Sequence, residues 1–133
     1  MNRKPIILVV DDDESVVRMI LDQFKKSKLA LFYEIFFAKR STTAHSLFEL
    51  YFKFIAALCL DACLNPDDPG RIHTIPLIST AQIMDYTEPM ITMSGEKFFR
   101  ERMLKVGCTH SVDRKDQLIA LLEILLLPKA QGN

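Results

Sequence analysis

Two acidic positions in this chain are placed to do chemistry. Asp11-Asp12-Asp13-Glu14 follows directly on the apolar run Ile6-Ile-Leu-Val-Val10, and Asp61 ends a second run, Phe54-Ile-Ala-Ala-Leu-Cys-Leu60. If the two runs are neighbouring strands, about 4.8 Å apart, their terminal carboxylates converge within reach of one metal ion. Carboxylates that close repel, so they must take up protons, spread apart or bind a cation. A hard, oxygen-seeking ion such as Mg²⁺ suits them. It accepts one or two protein carboxylates and leaves positions for water and phosphate oxygens, the makings of a phosphoryl-transfer site.

The elements that must position these groups are legible in order. Seven apolar residues without polar alternation, Phe54 to Leu60, read as a central strand covered on both faces, hence a parallel sheet flanked by helices. In open parallel sheets the crevice outside the carboxyl ends of the strands holds the reactive groups, and Asp61 falls there. Asp13 or Ser15 can cap a helix through Val17, Ile20, Leu21 and Phe24. Tyr33 to Ala38 reads as the second strand, and Ser41, Thr42 or Thr43 opens the helix that follows, through Tyr51. After Asp61 comes an irregular loop with Pro66, Pro69 and Gly70. Thr74 with Pro76 then starts a third helix that runs to about Tyr86. Pro89 to Met93 is the fourth strand, ending in Ser94-Gly95. A short fourth helix through Phe98 and Leu104 stops at Gly107, and Thr109 to Asp113 makes the fifth strand. The last helix, Gln117 to Leu127, is so rich in leucine that a second face must be covered by a partner or an adjacent helix, and Pro128 should stop it.

Five alternations of strand and helix predict an α/β fold: a doubly wound five-stranded parallel sheet of order 2-1-3-4-5, flanked by five helices. That order sets strands one and three side by side and so brings Asp11, Asp12 and Asp61 together. Residues 1–128 form the expected domain and 129–133 a polar tail.

Bulk properties narrow the function. The chain has 133 residues, 49% hydrophobic and 26% charged, which are ordinary globular values for one domain with a sizeable core. Lys plus Arg equals Asp plus Glu at 17 each, so no overall field points to nucleic acid or an anionic membrane. The apolar run after Arg3 and Lys4 is too short for a signal-peptide core, and no run reaches the ~18 residues of a membrane span. Cys59, Cys63 and Cys108 cannot all pair and lack zinc spacing, which places the chain in a reducing cytoplasm. His45, His73 and His110 have no metal-ligand spacing either.

Val9-Val-Asp-Asp12, Leu60-Asp61 with its proline loop, Pro89-Met-Ile-Thr-Met-Ser-Gly95 and Gly107-Cys108, each at a strand exit and in this order, resemble the receiver domains of two-component response regulators, including the stand-alone chemotaxis type. The resemblance spans essentially the whole chain. It implies that Asp61 is the phosphoacceptor, taking a phosphoryl group from a phosphohistidine on a sensor kinase or phosphotransfer protein and later losing it to water. It implies that Asp12 binds Mg²⁺ directly, Asp11 mainly through water, and the backbone carbonyl of Cys63 as a further ligand. Ser94 matches the family's hydroxyl residue, which turns toward the acyl phosphate and carries the signal outward. The output or homodimer surface would combine the fourth helix, the fifth strand and the last helix. Such a domain handles its own phosphoryl group and is not a turnover enzyme.

Three departures stand against that pattern. Seven residues on from Gly107, where the family has lysine and then proline, stand Arg114 and Lys115, and either could serve as the catalytic cation. Ser111 replaces the aromatic that swings with the hydroxyl. Pro66 lies five residues after Asp61 rather than four. A phosphorylation-independent interaction module, a degenerate receiver, is the alternative expectation.

Overall fold

The structure, a computed structural model, describes residues 3–131. Five parallel strands, β1 (Ile6–Val10), β2 (Glu34–Ala38), β3 (Ile55–Leu60), β4 (Met90–Thr92) and β5 (His110–Ser111), form one sheet of order β2-β1-β3-β4-β5. This is the expected doubly wound order. Every β1 side chain is fully buried, which explains the absence of polar alternation in its sequence. Ile6, Leu8 and Val10 face one core with Leu58 and Leu60. Ile7 and Val9 face the other, with Ala57, Cys59 and Ile91.

Six helices cover these two faces, one more than the sequence led us to expect. α1 (Glu14–Lys25) is followed by a single turn, α2 (Leu29–Phe32), too short to show a helical period in sequence. α1, α2 and α6 (Leu118–Gln131) lie against one face; α3 (Ser41–Tyr51), α4 (Ile75–Ile83) and α5 (Lys97–Val106) lie against the other. The third strand begins one residue later than predicted. Phe54 belongs to a 3-10 turn, Phe52–Phe54, and is half exposed, whereas the buried strand starts at Ile55. The fifth strand shrinks to two residues.

Pro128 does not stop the last helix, so the polar tail predicted from 129 is helical as far as Gln131; positions 132 and 133 lie outside the described residues. A proline removes a single backbone donor, and packing on the core outweighs that loss so near a helix end. The leucine surplus of α6 is covered by an adjacent helix pair. Leu122 and Leu126 are buried among α1 and α2 residues, Leu121 and Leu125 pack partly against them, and only Ile124 stands well exposed. Leu126 is therefore core rather than partner surface. Ser27 Oγ donates to Glu123 Oε2 (2.7 Å), tying the turn after α1 to α6.

Candidate metal and phosphoryl site

Asp11 and Asp61 sit one residue beyond the paired ends of β1 and β3, where Val10 faces Leu60. The ladder continues past the strands. Asp61 N donates to Val10 O (2.9 Å) and Asp11 N to Ala38 O (3.0 Å), so both backbones are fixed before their side chains do anything. Thr74, fully buried at the start of α4, donates its hydroxyl to Asp61 O at 2.8 Å and fastens the far side.

The three consecutive aspartates divide their work. Asp13 is the N-cap of α1, accepting from Ser15 N (2.9 Å), Ser15 Oγ (2.7 Å) and Val16 N (3.4 Å), and these bonds hold its carboxyl below the usual range. Asp11 Oδ1 accepts from Asp13 N (2.9 Å), which orients the remaining oxygen, Oδ2, into the crevice. Carboxylate oxygens of Asp11, Asp12 and Asp61 all lie within 4.8 Å of one another.

Lys115, not Arg114, enters this cluster. Its ammonium lies 2.8 Å from Asp11 Oδ2 and 3.1 Å from Asp61 Oδ2. Arg114 turns out to solvent and pairs bidentately with Asp116, Nε to Oδ1 and Nη2 to Oδ2, both 3.1 Å. Position 115 opens a 3-10 turn (Lys115–Gln117), which directs its side chain back over the sheet end. Spacing from Gly107 alone could not reveal that, because β5 is so short.

Electrostatics follow from the geometry. Burial first, then the Asp11 charge, push the Asp61 carboxyl up to about 6 against the opposing pull of Lys115. Burial would lower Lys115, but its bond to Asp11 and the charges of Asp61 and Asp11 prevail and hold it above its ordinary value. Asp11 Oδ2 is buried and receives no well-directed hydrogen bond; the lysine contact is an ion pair without good donor geometry. A buried carboxylate oxygen whose one close contact is the Lys115 ammonium, beside two further carboxylates, is a donor set that fits a hard divalent cation.

Ser94, at the exit of β4, is buried. Its hydroxyl accepts from Glu96 N (3.2 Å), while Arg100 Nη1 donates to its carbonyl (2.9 Å) and Arg100 Nη2 lies 3.7 Å from Asp113 Oδ1. Cys63 turns its thiol to the Asn65 and Asp68 carbonyls (3.3 and 3.6 Å), away from ligation through sulfur. Ser111 is exposed at the end of β5.

The residues that sequence reasoning missed are the fasteners. Thr74 was visible only as a helix start, and Arg100 was not singled out at all. His73, dismissed for lack of ligand spacing, accepts from Leu64 N at Nδ1 (3.0 Å), while its backbone N–H donates to Ala62 O (2.8 Å) and its ring lies 3.4 Å from Asp68. It closes the loop behind Asp61.

This fold has solved counterparts. The non-phosphorylated HemR receiver domain from Leptospira biflexa matches with a TM-score of 0.70 at 22% identity, over 92% of this chain and 95% of that one. Chemotaxis protein CheY4 of Vibrio cholerae matches at 0.68 and 17%, over 93% and 100%. The Mn²⁺-bound form of response regulator Rcp1 matches at 0.66 and 13%, over 96% and 94%. No family model matches the sequence, and no curated protein matches it. The fold is the receiver fold of CheY-like response-regulator domains, over nearly the whole chain.

Proposed function

We propose that this domain is a phosphoacceptor receiver in a phosphorelay, with Asp61 as the acceptor. The observation that carries this reading is the convergence of Asp11, Asp12 and Asp61 with the Lys115 ammonium at one sheet end. An Asp61 carboxylate oxygen attacks the phosphorus of a phosphohistidine on a sensor histidine kinase or phosphotransfer protein. The N–P bond breaks, the histidine departs, and a P–O bond makes an acyl phosphate. Water later cleaves that bond, releasing inorganic phosphate and restoring the carboxylate. Asp11 and Asp12, with the Cys63 carbonyl, would hold Mg²⁺, which would supply the charge neutralisation that lets two anions approach.

Lys115 pairs with the incoming phosphoryl oxygens, and the Ser94 hydroxyl turns toward them. Movement of Ser94 shifts the β4–α5 loop that Arg100 anchors, altering the surface of α5, β5 and the exposed edge of α6 for an output partner or a second copy. The domain works inside the cell, on its own phosphoryl group and not on an external substrate in turnover. One observation favours the other reading, a phosphorylation-independent interaction module: Ser111 provides no aromatic ring to follow Ser94.

Incubation with a small phosphodonor such as phosphoramidate and Mg²⁺ decides between them. One acid-labile phosphoryl group per chain is expected, absent without the metal and absent in Asp61→Asn. Label persisting in the Asn variant means that another residue accepts it, and no label on the wild type favours the interaction module.

A further inference from the structure

We propose that the groove between α4 and α5 docks an acidic peptide segment carrying an aromatic or leucine anchor. The groove has a volume of about 490 Å³ and is floored by Ile72, Ile75 and Phe99, with Arg71 and Arg102 at its rim. Ile72 and Phe99 rest on the core, while Phe98, beside Phe99 at 6.1 Å between ring centroids, is 69% exposed.

Charge complementarity selects the occupant. No acidic side chain lines the groove, and among the described residues neither Arg71 nor Arg102 forms an ion pair, although other exposed cations of the chain do. Two unpaired guanidinium groups lining one groove with an exposed aromatic ring provide the residue types that carry most binding energy at protein interfaces. A nucleic acid is the poorer fit. It requires a basic stripe for its phosphates, and this chain balances 17 positive against 17 negative residues. An apolar floor lined also by two arginines suits instead a short segment that sinks one large side chain and turns neighbouring carboxylates toward them. Exposed Phe98 alone would be unremarkable; beside a concave apolar floor it forms a contiguous patch.

The groove shares no residue with the acidic pocket, and docking as proposed does not require phosphorylation. The test is a peptide-display selection on the whole chain, with the double variant Arg71→Glu, Arg102→Glu as counter-target. Peptides with Asp or Glu on both sides of Phe, Trp or Leu are expected to be enriched. A fluorescent copy of an enriched peptide, read by polarisation, should bind the double variant at least tenfold more weakly, and Phe98→Ser roughly tenfold more weakly. Binding to Asp61→Asn should be unchanged, which separates this proposal from the phosphoacceptor reading. All these groove side chains reach solvent, so the variants should melt with the wild type. No enrichment, enrichment of neutral or basic peptides, equal binding to the double variant, or displacement of the peptide by a mixed-sequence RNA oligomer would overturn the proposal.

Discussion

The two ends of the sheet handle buried polar groups in opposite ways. At the amino end, neutral donors meet neutral acceptors: Tyr33 OH donates to Leu126 O (2.9 Å) and Tyr86 OH to Ile55 O (3.0 Å). Burial raises the pKa of both phenols, so they keep their protons, and the charges nearby sit at the rim as the pairs Lys129–Glu88 and Arg3–Glu34. At the carboxyl end, like charges are crowded together under partial burial, with one lysine to moderate them. The first arrangement supports stability at any ordinary pH. The second reduces it, and perturbed carboxylates crowded in this way cluster at functional sites.

Removing the moderator should have the largest effect. Lys115→Met leaves Asp11 and Asp61 facing each other, and should destabilise the metal-free domain at pH 7 by about 2–4 kcal/mol. The loss should shrink at pH 5, where Asp61 takes up a proton, and with added Mg²⁺. Denaturant titrations at both pH values, with and without the ion, check this; a loss unaffected by either condition would mean that Lys115 acts through packing alone.

Asp61→Asn should move stability the other way. The Asp61 pKa of about 6 exceeds its ordinary 3.8, so between these values the folded state holds a proton that the unfolded chain has released. The contribution is therefore full below about pH 4 and lost as pH rises through 6, a difference of up to about 3 kcal/mol. At pH 7 the Asn variant should be more stable than the metal-free wild type by about 1–3 kcal/mol, with a flatter profile from pH 4 to 7. Equal profiles for the two proteins would show that the carboxylates are not strained together.

How far the sequence foretold this depends on what each feature requires. The parallel sheet was legible because fully buried strands leave unbroken apolar runs, and the order 2-1-3-4-5 then placed Asp11, Asp12 and Asp61 in one crevice. The short helix Leu29–Phe32 was not, since four residues carry no period. Side chains that fasten the site through backbone atoms were equally hidden: Thr74 grips the Asp61 carbonyl and Arg100 the Ser94 carbonyl, and neither bond leaves a pattern in residue types. The leucines of α6 gave a true signal, a second covered face, but could not say that α1 and α2 supply the cover.

Tyr86→Phe probes the amino end, with a smaller effect. Losing the bond to Ile55 O should cost about 1–2 kcal/mol, because the ring keeps its packing against Phe48 and only the hydroxyl goes. Mg²⁺-dependent labelling of Asp61 should be untouched. A change in labelling rate would break the separation between the two ends and indicate that β3 transmits strain along its length.

The smallest effect should come from Arg114→Ala, and it tests the comparison within the carboxyl end itself. Arg114 and Lys115 are adjacent cations that spacing from Gly107 could not rank, yet their surroundings differ sharply. The guanidinium lies in solvent on Asp116, where an exposed pair is screened and adds little. The ammonium is mostly covered and touches two carboxylates. Arg114→Ala should therefore leave both the melting temperature and the labelling rate at wild-type values, while Lys115→Met slows labelling by on the order of tenfold or more as the developing phosphoryl charge loses its partner. If the two variants slow labelling equally, the loop from Ser111 to Asp116 must rearrange when phosphate enters, with the arginine swinging in to share the load.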